Sequence, residues 1–197
     1  MKKVIFAGLV LSALHTTVWA KNFNDLPFIG IGVGNIIAQT TQTTNGIEGT
    51  PIEKESAGIA LTIGTFHEES SICIVNYTHS QTDAIKISAI DVSYSWFYVL
   101  TENLLPFLGV NVSYYNSHTT GLLASGYSDD TLTISTTSLG ITAGVTYEFA
   151  EDFMLLVTYS IPVATKFSDA SAILGADSLS FTATPTAICS ASLIYNF

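Results

Sequence analysis

The sequence contains no arginine and few charged residues of any kind. Its 197 residues include six Lys against sixteen Asp and Glu, for a net charge of −10, and charged residues make up only 11% of the chain. A soluble domain averages about 25% charged residues, so this chain is short of solvent-facing side chains. Binding to nucleic acid needs a basic patch that neutralises phosphates, and we therefore expect no nucleic-acid partner.

The chain also lacks the residues of a metal or cofactor site. Its two cysteines, Cys73 and Cys189, are too few for a disulfide scaffold or a zinc site. Gly30, Gly32 and Gly34 form a glycine-rich stretch, but its spacing departs from the dinucleotide fingerprint and no helix pattern follows. We interpret these glycines as small residues on one face of a strand and expect no cofactor and no metal.

No apolar run is long enough for a membrane-spanning helix, which needs about 20 residues. The longest, Val4–Leu14, follows Lys2 and Lys3 and precedes Val18-Trp19-Ala20. This order of a basic, an apolar and a small-residue segment is typical of a secretory signal peptide. We expect cleavage after Ala20, which divides the chain into a signal peptide, 1–20, and a mature domain, 21–197, with four Lys against the sixteen acids.

What the mature chain does have is an alternation of apolar and small residues with a period of two. Between Ser138 and Phe149, large apolar side chains occupy every odd position, and Gly, Ser, Thr and Glu148 occupy the even ones. This period indicates β-strands, and it recurs in eight segments. The polar face is small and nearly uncharged, as inside a narrow closed barrel, and the large apolar face suits lipid. A sheet in lipid must close because open edges leave backbone groups unpaired.

The connections between these segments alternate in length. Three are short and acidic: 67–70, 100–103 and 150–152. One of medium length, 80–86, and three long ones, 41–56, 116–132 and 162–180, lie between them. Transmembrane barrels have short periplasmic turns and longer extracellular loops. The sequence therefore predicts an all-β fold: an eight-stranded antiparallel up-and-down transmembrane β-barrel with periplasmic termini and extracellular long loops.

The C-terminal strand carries the most specific signal. It ends in Phe197, with Tyr195 and Leu193 on the same face. This ending resembles the assembly signal of bacterial outer-membrane barrels. The resemblance implies that these three residues are recognised by the barrel-assembly machinery, and that the protein resides in the outer membrane in contact with its lipid.

Two internal motifs extend the resemblance over the mature chain. Pro106–Val112 is similar to a strand opening of the small eight-stranded outer-membrane barrels, the group of opacity proteins, attachment-invasion barrels and surface antigens. Gly140–Tyr147, followed by Glu151–Phe153, is similar to a strand, acidic turn and next strand of the same group. The resemblance implies a rigid barrel that serves as a scaffold and outer loops that carry the function.

Two carboxylates fall on the small-residue face, which we expect to line the lumen. They are Asp91 and Glu148, and no Lys shares that face in the predicted strands. A lone buried carboxylate is costly to ionise. One interpretation is hydrogen bonding to lumen hydroxyls and water; the other is a path for protons or cations.

Catalysis would require a nucleophile with an adjacent base and an orienting acid. His79 has Ser80 and Asp83 near it in sequence, and His118 has Asp129 or Asp130. The His-x-Ser spacing that we associate with lipid A deacylases is absent at both. We therefore expect solvated loop residues rather than an enzyme.

The leading functional hypothesis is a surface-exposed interaction protein of the adhesin or antigen type. Its partners are expected to be host-surface proteins, bound through the loops 41–56, 116–132 and 162–180. The alternatives are a structural envelope barrel, a small pore and, least favoured, a lipid-modifying enzyme. The sequence leaves the ligand, the host and the oligomeric state open.

Overall fold

A computed structural model describes residues 26–67, 70–81, 85–120, 131–168, 170–174 and 177–197. The predicted signal peptide, 1–20, lies outside these residues. The strands, in chain order, are β1 (Leu26–Thr44), β2 (Ile47–Glu48), β3 (Ile52–His67), β4 (Ser71–Gln81), β5 (Ile85–Phe97), β6 (Leu104–Thr120), β7 (Thr131–Ala150), β8 (Phe153–Ser168), β9 (Ala170–Leu174) and β10 (Asp177–Asn196). Within the described part of the chain, no helix is long and apolar enough to span a membrane.

Eight long strands form a closed antiparallel barrel. The long strands pair in the order β1, β3, β4, β5, β6, β7, β8 and β10, and β10 pairs with β1, which closes the barrel. The closing pair runs from Phe28 opposite Asn196 to Thr44 opposite Leu179. Two short strands, β2 and β9, extend the hairpins at one end. The predicted fold class is therefore confirmed.

The alternation in sequence sets which side chains point inward. On β5, Ile90 and Val92 are 42% and 43% exposed, whereas Asp91 between them is only 3% exposed. Successive side chains of a strand point to opposite faces of the sheet. Large apolar residues therefore coat the outside of the wall, and the mostly smaller residues fill the lumen.

The strands are longer than the sequence predicted. Strand residues take up parts of all the predicted long and medium connections, 41–56, 80–86, 116–132 and 162–180. In the first of these, β1 continues to Thr44 and β3 already begins at Ile52. The predicted boundaries were wrong because a sheet continues beyond the apolar zone whenever backbone pairing continues, and Thr-rich segments favour strands.

The end of β1 is a hairpin that the prediction missed. Asn45 and Gly46 have φ angles of 51° and 79°, and they join Thr44 to Ile47, which pair with each other. Positive φ at both central residues is the type I′ geometry for which Asn-Gly is the preferred sequence. The dipeptide therefore marked a tight turn within what the sequence analysis treated as a loop.

We call the end of the barrel with short connections the turn end and the opposite end the loop end. Residues 98–103 and 151–152 connect strands at the turn end, where Thr101 also bridges to Leu104. At this end all eight neighbouring pairs are joined to within a few residues of their strand ends, with one register shift, between Glu148 and Ala150 of β7.

At the loop end, one pair of strands separates. The β8–β10 ladder runs from Phe153 opposite Tyr195 to Ser160 opposite Ile188. Beyond that point, among the described residues, no pairing joins Ile161–Ser168 of β8 to Thr182–Ala187 of β10. We call this unpaired stretch of wall the seam. Along the seam, each separated strand keeps its other neighbour: β8 remains paired with β7, and β10 remains paired with β1.

The seam follows from a mismatch in residue number. On the turn-end side of the seam, Ser160 pairs with Ile188, and on the loop-end side, Ala170 of β9 pairs with Phe181 of β10. Between these two pairs, the β8–β9 edge spans ten positions, from 160 to 170, and the β10 edge spans seven, from 181 to 188. The β8–β9 edge therefore carries three more residues than the β10 edge. A regular antiparallel ladder pairs equal numbers of residues on both strands, so one regular ladder does not connect these two registers.

Local features on both edges match this opening. The β7–β8 ladder shifts between Leu139 and Gly140, which face Ala164 and Pro162, and leaves Val163 as an extra residue. The β1–β10 ladder shifts between Ile37 and Ala38, opposite Ala187 and Pro185. Prolines and bulges are typical of sheet edges because neither continues a regular ladder. Pro185 donates no hydrogen bond to a ladder, and β8 pairs with β10 only from Ile188 onward.

Candidate functional site

Large apolar side chains fill both ends of the lumen. The turn-end cluster is buried at 4% exposure or less and comprises Phe28, Phe66, Ile72, Ile74, Phe97, Leu105, Phe107, Met154, Leu156 and Ile194. The loop-end cluster, equally buried, comprises Ile36, Ala38, Ile87, Ala89, Tyr115, Ile134 and Ile188. The sequence analysis described the inner face as mostly small residues. That description is wrong at the turn end, where large apolar side chains are buried, but small buried residues such as Ser56, Ser80 and Ser117 share the loop end with the loop-end cluster.

Between the two clusters lies a polar layer, which we call the hydroxyl belt. Its members are buried and come from β3–β8 and β10: Thr62, Asn76, Asp91, Asn111, Ser113, Thr142, Thr158, Ser160, Ser190 and Ser192. On β5, β6 and β10 the belt residues lie between residues of the two clusters, whereas β3, β4 and β8 contribute only to the turn-end cluster and β7 only to the loop-end cluster. Gly30, Gly32 and Gly34 of β1 complete the layer.

One half of the belt is a chain of neutral hydrogen bonds. Thr62 donates to Asn76 Oδ1 over 2.6 Å and shares a 2.9 Å hydrogen bond with Ser192. Asn76 Nδ2 donates to Thr158 over 3.3 Å, and Thr158 contacts Ser190 at 2.7 Å. These bonds link β3, β4, β8 and β10 across the lumen, and they satisfy polar groups that burial would otherwise make costly.

The other half centres on Asp91. Asn111 Nδ2 donates to Asp91 Oδ1 over 2.5 Å, and the Ser113 hydroxyl donates to the same oxygen. Ser160 is 3.1 Å from Asp91 Oδ2 and also 3.1 Å from Thr142 Oγ1. The carboxylate therefore accepts hydrogen bonds from residues of two other strands, β6 and β8.

Glu148 does not join Asp91. It is half-buried near the turn end of β7, next to the register shift between Glu148 and Ala150, and its backbone N–H donates to the Asn103 carbonyl over 2.9 Å. The two predicted lumen carboxylates are therefore at different levels, and only Asp91 lies in the belt.

The histidines hydrogen-bond to hydroxyls. His79 Nδ1 is 2.9 Å from Ser88 Oγ, and its ring stacks on Tyr77 at a centroid distance of 6.3 Å. His118 Nδ1 is 2.9 Å from Thr133 Oγ1. The predicted acidic neighbours, Asp83, Asp129 and Asp130, lie outside the described residues. Neither of the contacts described here supplies the orienting acid of a catalytic triad.

The two cysteines are both free and half-buried. Cys73 lies on β4 and Cys189 on β10, and β1 and β3 separate these strands in the sheet. Among the described residues, no group of His, Cys, Asp and Glu has the size and arrangement to hold a metal ion.

The outside of the wall is an apolar band with aromatic residues concentrated at the turn end. Tyr94 and Trp96 pack edge to face with ring centroids 5.3 Å apart. Phe153 and Tyr195 are 5.2 Å apart, and Tyr195 and Phe197 are 5.4 Å apart. Such girdles mark the interface between hydrocarbon and headgroups in transmembrane barrels.

The three residues of the predicted assembly signal lie on the outer face of β10. Leu193, Tyr195 and Phe197 are 47%, 39% and 65% exposed. The strand is held at its end by a 3.1 Å hydrogen bond from the Phe197 N–H to the Pro27 carbonyl. The signal is thus presented outward at the edge of the turn end.

Comparisons with known proteins show the fold. No protein-family model matches the sequence, and no curated protein matches it. The crystal structure of the outer membrane protein OprG from Pseudomonas aeruginosa matches with a TM-score of 0.63 and 13% identity, covering 89% of this chain and 97% of that one. The solid-state NMR structure of the outer membrane protein AlkL in lipid bilayers matches with a TM-score of 0.60 and 15% identity, covering 93% and 95%.

These likenesses agree with the apolar band, the girdle and the closed ladder. They support a location in the bacterial outer membrane. The chain has the fold of the small eight-stranded outer-membrane β-barrels.

Proposed function

We propose that this chain is a surface protein whose loop end binds partner molecules outside the cell, as an adhesin or surface antigen does. The observation that carries the proposal is the height of the barrel wall. β7 has 20 residues, which corresponds to a strand of about 68 Å and, at a tilt of about 40°, a wall of about 50 Å. The apolar band of a transmembrane barrel is about 25 Å tall, so a large part of the wall stands clear of the lipid.

The outer face of the wall changes character where it leaves the band. On β6, Leu108, Val110, Val112 and Tyr114 are the exposed apolar residues, and the next outward positions are Asn116 and His118. On β3, Ile59 is followed toward the loop end by the exposed Glu55 and Glu53. A polar wall at the loop end fits water, and it fits an extracellular position for this end and a periplasmic one for the termini.

The filled lumen favours a scaffold over a pore. The turn-end cluster draws buried side chains from every long strand except β7, and eight strands leave a lumen that side chains are able to fill. We therefore place the functional surface on the loop end rather than in an aqueous channel. The acidic residues Glu48, Glu53 and Glu55 suit a partner with a basic surface.

The test is binding by cells of a non-adherent bacterium that display the chain. One variant replaces 121–130 with Asn-Gly, which joins Thr120 directly to its pairing partner Thr131 through a turn that hairpins favour. The matched control is Glu151→Gln, in a turn at the opposite end. Folding of both variants is first checked by electrophoresis, in which a folded barrel changes its mobility when the sample is heated.

We expect the parent and the Glu151→Gln cells to bind host cells or matrix proteins, and the 121–130 variant to lose most of that binding. Binding should weaken as salt rises, because exposed charges are screened. If folded parent cells bind no better than cells without the chain, the adhesin proposal is wrong. Conductance in planar bilayers, or a changed lipid A mass that depends on His79 or His118, would instead support a pore or an enzyme.

A further inference from the structure

Positively ionisable side chains are grouped on the outer face of the wall at the loop end. They are His79 on β4, Lys86 on β5 and His118 on β6. The next residue along each strand is buried in the lumen, and successive side chains of a strand alternate between the two faces, so all three point outward. Among the side chains that the structure describes at this end, no other belongs to a Lys or a His. We call these three residues the cationic patch.

The register of the strands brings the three residues together. Lys86 lies directly opposite His118, so their Cβ atoms are about 5 Å apart. His79 lies opposite Ser88 and is therefore the diagonal neighbour of Lys86, at about 7–8 Å. A lysine and a protonated histidine that face each other across a ladder repel. An anion bound between them removes this repulsion.

The donor groups of the patch are available to a ligand. His79 Nδ1 lies 2.9 Å from Ser88 Oγ, and His118 Nδ1 lies 2.9 Å from Thr133 Oγ1. A hydroxyl both donates and accepts, so each ring is able to carry its proton on Nε2. Within the described part of the chain, no hydrogen bond or ion pair occupies either Nε2 atom or the Lys86 ammonium group. Three converging donors of this kind suit a phosphate group.

The patch lies at the height of lipid headgroups. Lys86 is ten positions from Trp96, the girdle residue at the turn end of β5. Ten residues of a strand span about 33 Å, or about 25 Å along the barrel axis at a tilt of about 40°, and the apolar band is about 25 Å tall. Between the two residues the outward side chains include the exposed Ile90, Val92 and Tyr94. Lys86 is therefore level with the headgroups of the leaflet opposite the girdle.

The exposed acids described at the loop end lie on another part of the wall. Glu48 belongs to β2, and Glu53 and Glu55 belong to β3. Glu55 is four positions beyond Ile59, the residue opposite His79, which places it about 13 Å along the strand from that level. This distance exceeds the screening length of about 8 Å at physiological ionic strength. The acids therefore do not neutralise the patch.

We propose that the cationic patch binds the phosphate group of an anionic lipid in the leaflet at the loop end. The Lys86 ammonium group and His118 Nε2 donate to the phosphate oxygens, and His79 lies at the edge of the site. The next outward residues toward the turn end, Ile90 and Tyr114, face each other and are 42% and 43% exposed. Acyl chains attached to the phosphate pack on this apolar surface, which a soluble phosphate is unable to use. The occupant is therefore a lipid.

The experiment counts lipids bound to the refolded barrel by native mass spectrometry. The barrel is released from a non-ionic detergent that contains equal amounts of phosphatidic acid and phosphatidylcholine. We expect the parent to retain one phosphatidic acid in preference to phosphatidylcholine. A lysine near an anionic lipid surface contributes enough binding energy for about a fivefold effect, so Lys86→Gln should lower this adduct about fivefold. The control Lys86→Arg keeps the charge and should keep the adduct.

The histidines are tested by a second matched pair. His118→Gln should weaken the phosphatidic acid adduct, whereas His67→Gln, at the turn end of β3, should not. Undiminished binding by both Lys86→Gln and His118→Gln, or equal retention of the two lipids by the parent, would overturn the proposal. All of these positions are exposed or at a strand end, so the substitutions leave the buried lumen intact.

A measurement on the parent alone identifies the source of the phosphate. Phosphatidic acid added to phosphatidylcholine bicelles should shift the NMR signals of the His79 and His118 rings but not those of the His67 ring. Inorganic phosphate at the same concentration should not. Equal shifts with inorganic phosphate, or no shift with phosphatidic acid, would show that the patch is not a lipid site. Because the patch lies on the lipid-facing wall, this result is independent of partner binding by the loops.

Discussion

The turn end and the loop end of this barrel differ in strand pairing, in the length of their connections and in the side chains on their outer faces. At the turn end every pair of neighbouring strands is hydrogen-bonded and the connections are short. Aromatic side chains surround the outer face there, and four phenylalanines lie in the lumen. Toward the loop end the outer face becomes polar and β8 and β10 separate along the seam. Register shifts occur beside the seam, at Leu139/Gly140 and Ile37/Ala38, and once at the turn end, at Glu148/Ala150. Unpaired backbone in hydrocarbon is costly, which agrees with the complete pairing at the turn end. The seam begins beside the exposed apolar residues Ile161 and Val163 and continues toward the polar loop end.

The largest expected difference between the two ends is in backbone protection. Amide protons of Phe153–Ser160 on β8 lie in ladders on both sides, whereas those of Ile161–Ser168 that point away from β7 lack a partner in the described residues. Opening free energies range from near zero for unpaired backbone to the full unfolding free energy for the core. Hydrogen exchange by NMR should therefore show rapid exchange at alternate residues of the second segment. Uniform protection along all of β8 would mean that the seam is closed.

Removing the ring of Phe66 should strongly destabilise the turn end. Phe66 is fully buried, and its ring centroid lies 5.4 Å from that of Phe28 and 5.9 Å from that of Phe97. Phe66→Ala should lower the unfolding free energy by about 3–5 kcal/mol, as buried Phe→Ala changes do. Phe66→Leu keeps a branched apolar side chain in the site and leaves a smaller cavity, so it should cost clearly less than Phe66→Ala. Equal losses in urea titrations of the two variants would contradict tight packing there.

A smaller effect is expected where β1 closes the barrel. A Cβ atom added to Gly32 would collide with the backbone carbonyl of Ala191 on β10, whereas one added to Gly34 would lie 2.5 Å from the Thr78 side-chain methyl group. Backbone yields less readily than a rotatable side chain. Gly32→Ala should therefore cost about 1–3 kcal/mol, and Gly34→Ala less. The same urea titration checks the order, and a reversed order would show that the closing ladder is more adaptable than described.

The smallest effect on the folded barrel is expected at its C-terminus. Phe197 is 65% exposed, and Phe197→Leu should change the unfolding free energy by only about 0.5 kcal/mol. If the terminal Phe is read by the assembly machinery, the amount of folded barrel in the outer membrane should nevertheless fall several-fold. Phe149→Leu, at another exposed phenylalanine of the turn end, is the control. A similar fall for both variants would attribute the loss to the girdle rather than to the signal.

The sequence predicted the parts of the fold that lipid dictates. The alternation around Ile90, Asp91 and Val92 placed each side chain on its correct face because one face must be apolar and the other must fit a narrow lumen. The same reasoning failed to predict strand ends at Thr44 and Thr120, since backbone pairing beyond the lipid leaves no hydrophobic pattern.

The belt and the seam were harder to predict for a different reason. That Asn111, Ser113 and Ser160 converge on Asp91 depends on the register between strands, which one sequence does not specify. The seam depends on a difference of three residues between two registers. The sequence features that accompany it are Pro162 and Pro185, which donate no hydrogen bond to a ladder. The Asn45-Gly46 dipeptide is a recognisable signal for a hairpin turn, but the sequence analysis treated it as part of the long connection 41–56.

The most direct test of this account is to determine which end of the barrel faces the outside of the cell. In a background with Cys73→Ala and Cys189→Ala, single cysteines are introduced by Glu48→Cys at the loop end and by Glu151→Cys at the turn end, both at exposed positions. Intact cells are treated with a membrane-impermeant maleimide. We predict that Glu48→Cys is labelled on intact cells and that Glu151→Cys is labelled only after the outer membrane is permeabilised. Labelling of Glu151→Cys alone on intact cells would contradict the orientation and the loop-end function that depends on it.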